Sequence, residues 1–302
     1  DPLSVLTLHN YTNELVMRRQ VDRVRPGLDR LTQLDSSRGA IFQSFILSME
    51  QKQAEAAEVL FRGVDSNPGD LRTRTNAAFA LLNFGLEDDA LQVWPYPNAL
   101  PLVSNGFDVE YTLELAKQQF ENDPNDPGNV ESLAWAYWVV GEKEQALKLA
   151  RRYRGSLGET RAPIDGINRM FAIDAWQRGD EQEMLRYLLP LQEDFDRAMA
   201  SGVDVMFINI GKAAMEYLAG NSDSALRYLE KGMSLGLMLP SRIAETYETF
   251  GWNDLPEFVA LREQHEAYRQ REKVRFLLVA CGPDGFSSWQ PSPETCASAD
   301  AI

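Results

Sequence analysis

The stretch Asn129 to Tyr153, NVESLAWAYWVVGEKEQALKLARRY, constrains the fold more than any other part of the chain. Apolar residues at Leu133, Ala134, Tyr137, Trp138 and Val140, and again at Ala146, Leu147, Leu149, Ala150 and Tyr153, give two short helices a buried face each. Gly141 stands between them, where a residue following a helix often needs positive φ. Ala134 and Ala146 are small at the point where the two helices would cross, so the backbones can approach. Counted from Pro127, Leu133, Ala134, Tyr137, Gly141, Ala146 and Ala150 fall at places 7, 8, 11, 15, 20 and 24.

The same frame recurs along the chain. From residue 37, Ala56, Leu60, Gly63 and Pro68 hold places 20, 24, 27 and 32. From Leu71, Ala78, Leu81, Gly85, Ala90 and Trp94 hold places 8, 11, 15, 20 and 24, and Pro95 cuts the second helix short. Tyr111 to Glu121 reads as a second helix whose partner has degenerated into the proline-rich loop Trp94 to Gly106. A looser frame starts at Asp165, with Ala172, Gly179, Met184 and Leu188, and a better one at Met206, with Ala213, Gly220, Ala225, Leu229 and Gly232. Residues 2–34 read as two capping helices, broken near Arg18 to Val21 or at Pro26-Gly27. A short helix is expected over 241–250, and one long helix from Pro256 to about Ala280.

Punctuation at a period near 34 residues, with small residues at places 8 and 20, resembles the tetratricopeptide repeat family over residues 37–235. The resemblance implies an all-α fold, an α-solenoid of antiparallel helix pairs wound as a right-handed superhelix, whose concave groove is lined by the first helix of each pair. On that reading residues 1–280 are one solenoid, with caps at 1–36 and closing helices at 241–280, and 281–302 form a disulfide-closed, non-helical tail. GINRMFAIDAWQRGDEQEMLRYL and GWNDLPEFVALREQHEAYRQR, before a tail with a second cysteine, also resemble the extracytoplasmic repeat part of bacterial membrane-anchored winged-helix regulators.

Chemistry is sparse in the sequence. With 45 acidic against 30 basic residues, a net charge of -15 should repel nucleic acid and anionic membranes. No apolar run is long enough to span a bilayer. No phosphate loop, nucleophile elbow or HExxH pair occurs. His9 and His265 read as solvated, and Asp123, Asn125 and Asp126 as a turn between repeats rather than a cation loop. No enzyme activity, cofactor or metal site is therefore expected; a catalytic reading would have to use Glu216 paired with Lys212.

The expected function is a non-catalytic scaffold or sensory module that takes a peptide or protein partner in the groove, the alternative being a small-molecule-sensing solenoid. Places 9 and 12 of the first helices supply the candidate groove: Phe79, Leu82, Trp135, Trp138, Ile173, Trp176 and Tyr217. Cys281 and Cys296 are the only two cysteines, so their pairing is unique. A bridge between them would fold the tail back and let Phe286 and Trp289 cover the open apolar face of the final repeat. Such a bridge persists in oxidising compartments, which favours a periplasmic or otherwise extracytoplasmic location over a cytoplasmic one.

Overall fold

A computed structural model describes residues 4–94, 97–99, 102, 108–157, 165–236, 238, 252 and 255–300. Among these residues the secondary structure is helical, without strands. The helices are α1 Val5–Met17, α2 Val21–Leu34, α3 Ser36–Met49, α4 Gln53–Ser66, α5 Leu71–Asn83, α6 Glu87–Val93, α7 Val109–Asn122, α8 Pro127–Val139, α9 Lys143–Leu157, α10 Asp165–Gln177, α11 Glu181–Ala200, α12 Met206–Leu218, α13 Ser222–Ser234, α14 Pro256–Ala280 and α15 Pro293–Asp300. The expected helix over 241–250 and most of the proline-rich loop lie outside the described residues. Of the two breaks considered for the first pair, the chain turns at 18–20, and Pro26 lies inside α2.

Two devices set the helix boundaries. Several helices that open a pair are capped by an aspartate: Asp35, Asp70 and Asp126 accept hydrogen bonds from Arg38 N, Thr73 N and Asn129 N at 2.9–3.0 Å. A carboxylate there satisfies an orphan N–H and complements the helix dipole. The turn inside a pair instead repeats one backbone closure, an amide returning to the carbonyl five residues earlier. Lys52 N to Leu47 O, Leu86 N to Leu81 O, Glu142 N to Tyr137 O and Asn221 N to Glu216 O all measure 2.8–2.9 Å. This closure satisfies the last carbonyls of the outgoing helix.

Each helix packs on its sequence neighbour, and α3 also meets α1 and α5, as α10 meets α8 and α12. The small residues of the frame sit at these crossings: Ala78, Ala90, Ala134, Ala146, Ala172 and Ala213 are fully buried. Two large apolar clusters result. One gathers α8–α13 around Ile173, Leu188 and Met215; the other gathers α4–α6 around Phe61, Leu81 and Phe84.

The far end of the chain returns to the beginning. α14 packs on both α13 and α4, and it joins the two clusters, with Phe258 in the first and Phe276, Leu277 and Ala280 in the second. The middle of its buried stripe is polar, at His265, Arg269 and Glu272. Glu272 has a structural task there. The N-cap residue of α4, Lys52, makes no side-chain capping bond, and Glu272 Oε2 accepts from Ala54 N at 2.9 Å instead. Arg275 binds Glu272 at 2.7 Å and Glu55 at 2.6 Å, which holds the borrowed cap in place. Three more links close the ends: Asp204 N donates to Met17 O at 3.0 Å, Gln51 Nε2 to Met233 O at 2.7 Å and Gln53 Nε2 to Gly236 O at 3.0 Å.

The tail departs from expectation in two ways. It contains a helix, α15, begun by Ser292 Oγ accepting from Thr295 N at 3.1 Å with Pro293 at the first helical position. Its aromatics also cover a different surface. Phe286 and Trp289 stack on Phe61 of α4 and on Phe276, with centroids 5.0–5.8 Å apart, so they seal an early pair of helices and not the final one. Cys281 and Cys296 lie at disulfide distance, with Sγ atoms 2.02 Å and Cα atoms 5.8 Å apart.

Candidate partner-binding surface

Helices α8, α10 and α12 open successive pairs and lie side by side, α10 between the other two. Where α8 meets α10, Gly166 leaves room for the Glu131 carboxylate, which a Cβ there would displace, and lies close to the Trp135 ring. Their facing residues fall into two groups. Trp138 and Ile173 are buried in the core between the helices. Trp135, Trp176 and Tyr217 pack against that core but stay partly open to solvent. The rings form near neighbours: Trp135 and Trp138 meet edge to face at 6.2 Å, and Trp176 and Tyr217 lie 6.1 Å apart. Lys143 sits 5.1 Å over the Trp138 ring and donates to Gln177 Oε1 at 3.0 Å, which ties the start of α9 to the end of α10.

Five of the seven candidate groove residues therefore share one cluster. Phe79 and Leu82 do not join it; they belong to the second cluster, where Leu82 is buried and Phe79 packs edge to face on Trp94 at 5.0 Å. One residue of the strip has no place in the periodic frame. Trp252 lies against Tyr217 at 5.0 Å and leads to Phe258 at 5.3 Å, so the chain itself covers the α12 end of the strip. Nothing in the repeat frame marks Trp252, which falls between two helices.

Lys212 and Glu216 do come together, Nζ to Oε1 at 3.6 Å. Both are already engaged. The buried Lys212 donates to Asp196 Oδ1 at 2.8 Å and lies 5.7 Å from the Tyr228 ring, and Glu216 accepts from Asn221 Nδ2 at 3.0 Å. Beside them an open polar depression of about 500 Å³ follows the α12–α13 turn, lined by Glu216, Asn221, Asp223 and Arg227. The arrangement is an ion pair that lets a lysine occupy an apolar repeat position.

The histidines correct the sequence reading. His265 is buried, 5.8 Å from the Tyr268 ring, and His9 is partly buried against Phe42 at 5.1 Å. Burial, with Arg38 and Arg72 nearby, pushes the His9 pKa below its ordinary 6.5. In the loop before α8, Asp126 caps the helix and Asp123 accepts from Asn125 N at 3.2 Å, so these oxygens serve the turn. Among the described residues no group of three His, Cys, Asp or Glu side chains is placed to hold a metal ion. Among them, too, no helix is long and apolar enough to cross a membrane.

No family model matches the chain, and no curated protein matches it in sequence.

Proposed function

We propose that this chain is a non-catalytic binding module of the tetratricopeptide kind, a right-handed solenoid that receives a peptide or protein segment along Trp135, Trp176 and Tyr217. One observation carries the reading: three aromatic rings stay partly exposed on the adjacent helices α8, α10 and α12, over a core already closed by Trp138 and Ile173. Large rings held rigidly at low conformational cost are what protein interfaces use as anchors. The bridge between Cys281 and Cys296 supports an extracytoplasmic setting, where the module would serve as the sensory part of a regulator.

The test is a selection of displayed random peptides on the oxidised protein. A selected peptide is expected to bind Trp135→Ala and Trp176→Ala at least 10-fold more weakly, with helical circular dichroism unchanged, as loss of a hot-spot ring predicts. Equal binding to both variants would move the site elsewhere. Failure to enrich any peptide, with a thermal shift produced by a metabolite, would favour the small-molecule reading.

A further inference from the structure

Residues 282–292 form a strap between α14 and α15, and its anchors on the rest of the chain come from the early helices. Arg62 of α4 donates to Asp284 O at 2.7 Å and Gly285 O at 3.3 Å. Asp65 Oδ1 accepts from Ser287 Oγ at 2.9 Å and Ser288 N at 2.7 Å. Asp89, buried in α6, accepts from Trp289 Nε1 at 3.1 Å and, from α15, Thr295 Oγ1 at 3.4 Å. Beneath them Phe286 and Trp289 complete the ring cluster of Phe61, Phe84 and Phe276. The strap's own backbone contributes little, with turn bonds from Gly282 N to Val279 O and Gly285 N to Gly282 O. Such a segment frays unless tied down, and here side-chain bonds and two buried rings do part of that work. The Cys281–Cys296 bridge adds the covalent tie, and Cys281 is exposed while Cys296 is partly buried.

We propose that this bridge is a redox latch on the closed form of the molecule. A thiolate of a dithiol reductant attacks Cys281 Sγ from solvent, and Cys296 leaves as the free thiol. The reductant's second thiol then resolves the mixed disulfide and frees Cys281. The bridge takes up two electrons and two protons, and the dithiol ends as its own disulfide. Both ends of the strap are then no longer held together. Phe286 and Trp289 lift from the α4–α6 face, Phe61 and Phe276 become accessible, and the contact of α14 with α4 loosens. The cluster of α8–α12 shares none of these strap contacts and stays folded.

Hydrogen exchange on the full chain, oxidised and after dithiothreitol, tests the latch, with thiol labelling to confirm reduction and the double variant C281S/C296S as the permanent open form. Amides of 282–300 and of α4 are expected to lose protection by about 100-fold, the loop-closure contribution expected for a bridge of this span, with no change in α8–α12. Binding of a fluorescent hydrophobic dye should rise in parallel. Three results would each overturn the proposal: strap protection unchanged in fully reduced protein, equal loss across α8–α12, or a bridge that dithiothreitol opens only in denaturant. Should the double variant fail to fold, reduced wild-type protein still gives the answer.

Discussion

The helix pairs turn in the same way, yet two of the turns are built from the wrong residue. At Gly85, Gly141, Gly179 and Gly220 the left-handed position has φ of 70–86° and is taken by glycine. At the turns after α1 and α3 the same position is held by Arg19, at φ 55°, and Gln51, at φ 61°. A non-glycine residue there carries a strain of about 1–2 kcal/mol. The difference lies in what surrounds the turns. A Cβ at Gly141, Gly179 or Gly220 would meet nothing within 4 Å, since these turns face solvent. The Arg19 and Gln51 turns face the returning end of the chain: Arg19 pairs with Asp204 at 3.5 Å and Gln51 donates to Met233 O. Local folding would choose glycine at every turn; at the two exceptions the side chains reach the returning part of the chain.

The closing side of that contact has its own glycine, and it gives the largest expected effect. Gly236 has φ of 92°, and a Cβ on it would run into the backbone of Ser48 and Met49. Gly236→Ala should therefore combine left-handed strain with a steric clash that no side-chain motion relieves, costing about 2–5 kcal/mol. Gly141→Ala, at φ 86° in open space, should cost only the strain, about 1–2 kcal/mol. Urea titrations of both variants separate the two terms. Equal losses would show that closure demands nothing beyond an ordinary turn.

A smaller effect concerns Asp204, the carboxylate that three groups share at the seam. Lys231 Nζ lies 2.8 Å from Oδ1, Asn209 Nδ2 donates to the same oxygen at 3.1 Å, and Arg19 approaches Oδ2. Burial alone would raise its pKa, but hydrogen bonds from Lys231 and Asn209 and the charges of Lys231 and Arg19 hold it below the ordinary 3.8. A depressed carboxylate stabilises the fold fully above its unfolded pKa and loses that contribution as pH falls through the lower folded value. Asp204→Asn should thus cost about 1 kcal/mol at pH 7, where a charged hydrogen bond is lost at a partly exposed site. The gap between variant and parent should shrink as pH drops below 4. A gap that stays constant down to pH 2 would mean the carboxylate's charge contributes nothing to the seam.

What the sequence reveals and what it hides follows the same division. Ala134, Ala146 and Gly141 can be read because each serves a contact a few residues away, and such contacts leave a period in the sequence. The strip at Trp135, Trp176 and Tyr217 is visible for the same reason. The closure is not. Glu272 capping α4 spans 218 residues, and Trp289 meeting Asp89 spans 200. Single polar residues paired across such distances follow no period, so Glu272 reads as one more charge on a charged helix. Trp252 is hidden likewise, a single ring outside the periodic frame. The helix α15 is hidden too: Ser292-Pro293-Glu294 is a start signal, but eight residues are too few to show a periodic face, so the tail reads as non-helical. The tail's target is hidden as well, because adjacency in sequence points to the last repeat, while Phe61 and Phe84 offer the larger aromatic face.

The smallest effects probe the two exceptional turns directly. In Gln51→Ala the left-handed strain remains and the hydrogen bond to Met233 O goes, so the variant should lose about 1 kcal/mol. In Gln51→Gly the strain goes as well, and the two changes should nearly cancel, leaving stability within about 0.5 kcal/mol of the parent. Arg19→Gly should behave differently. Its ion pair is long and both side chains are substantially solvated, at 46% and 30% exposure, so little is lost when it is removed. Relief of strain then dominates, and Arg19→Gly should be neutral or more stable by up to about 1 kcal/mol. The pair of glycine variants thus ranks the two closing contacts. If Gln51→Gly gains as much as Arg19→Gly in the same urea titration, the hydrogen bond at Met233 contributes nothing. Closure would then rest on α14 with Glu272, the Asp204 contacts and the Gln53 bond to Gly236 O.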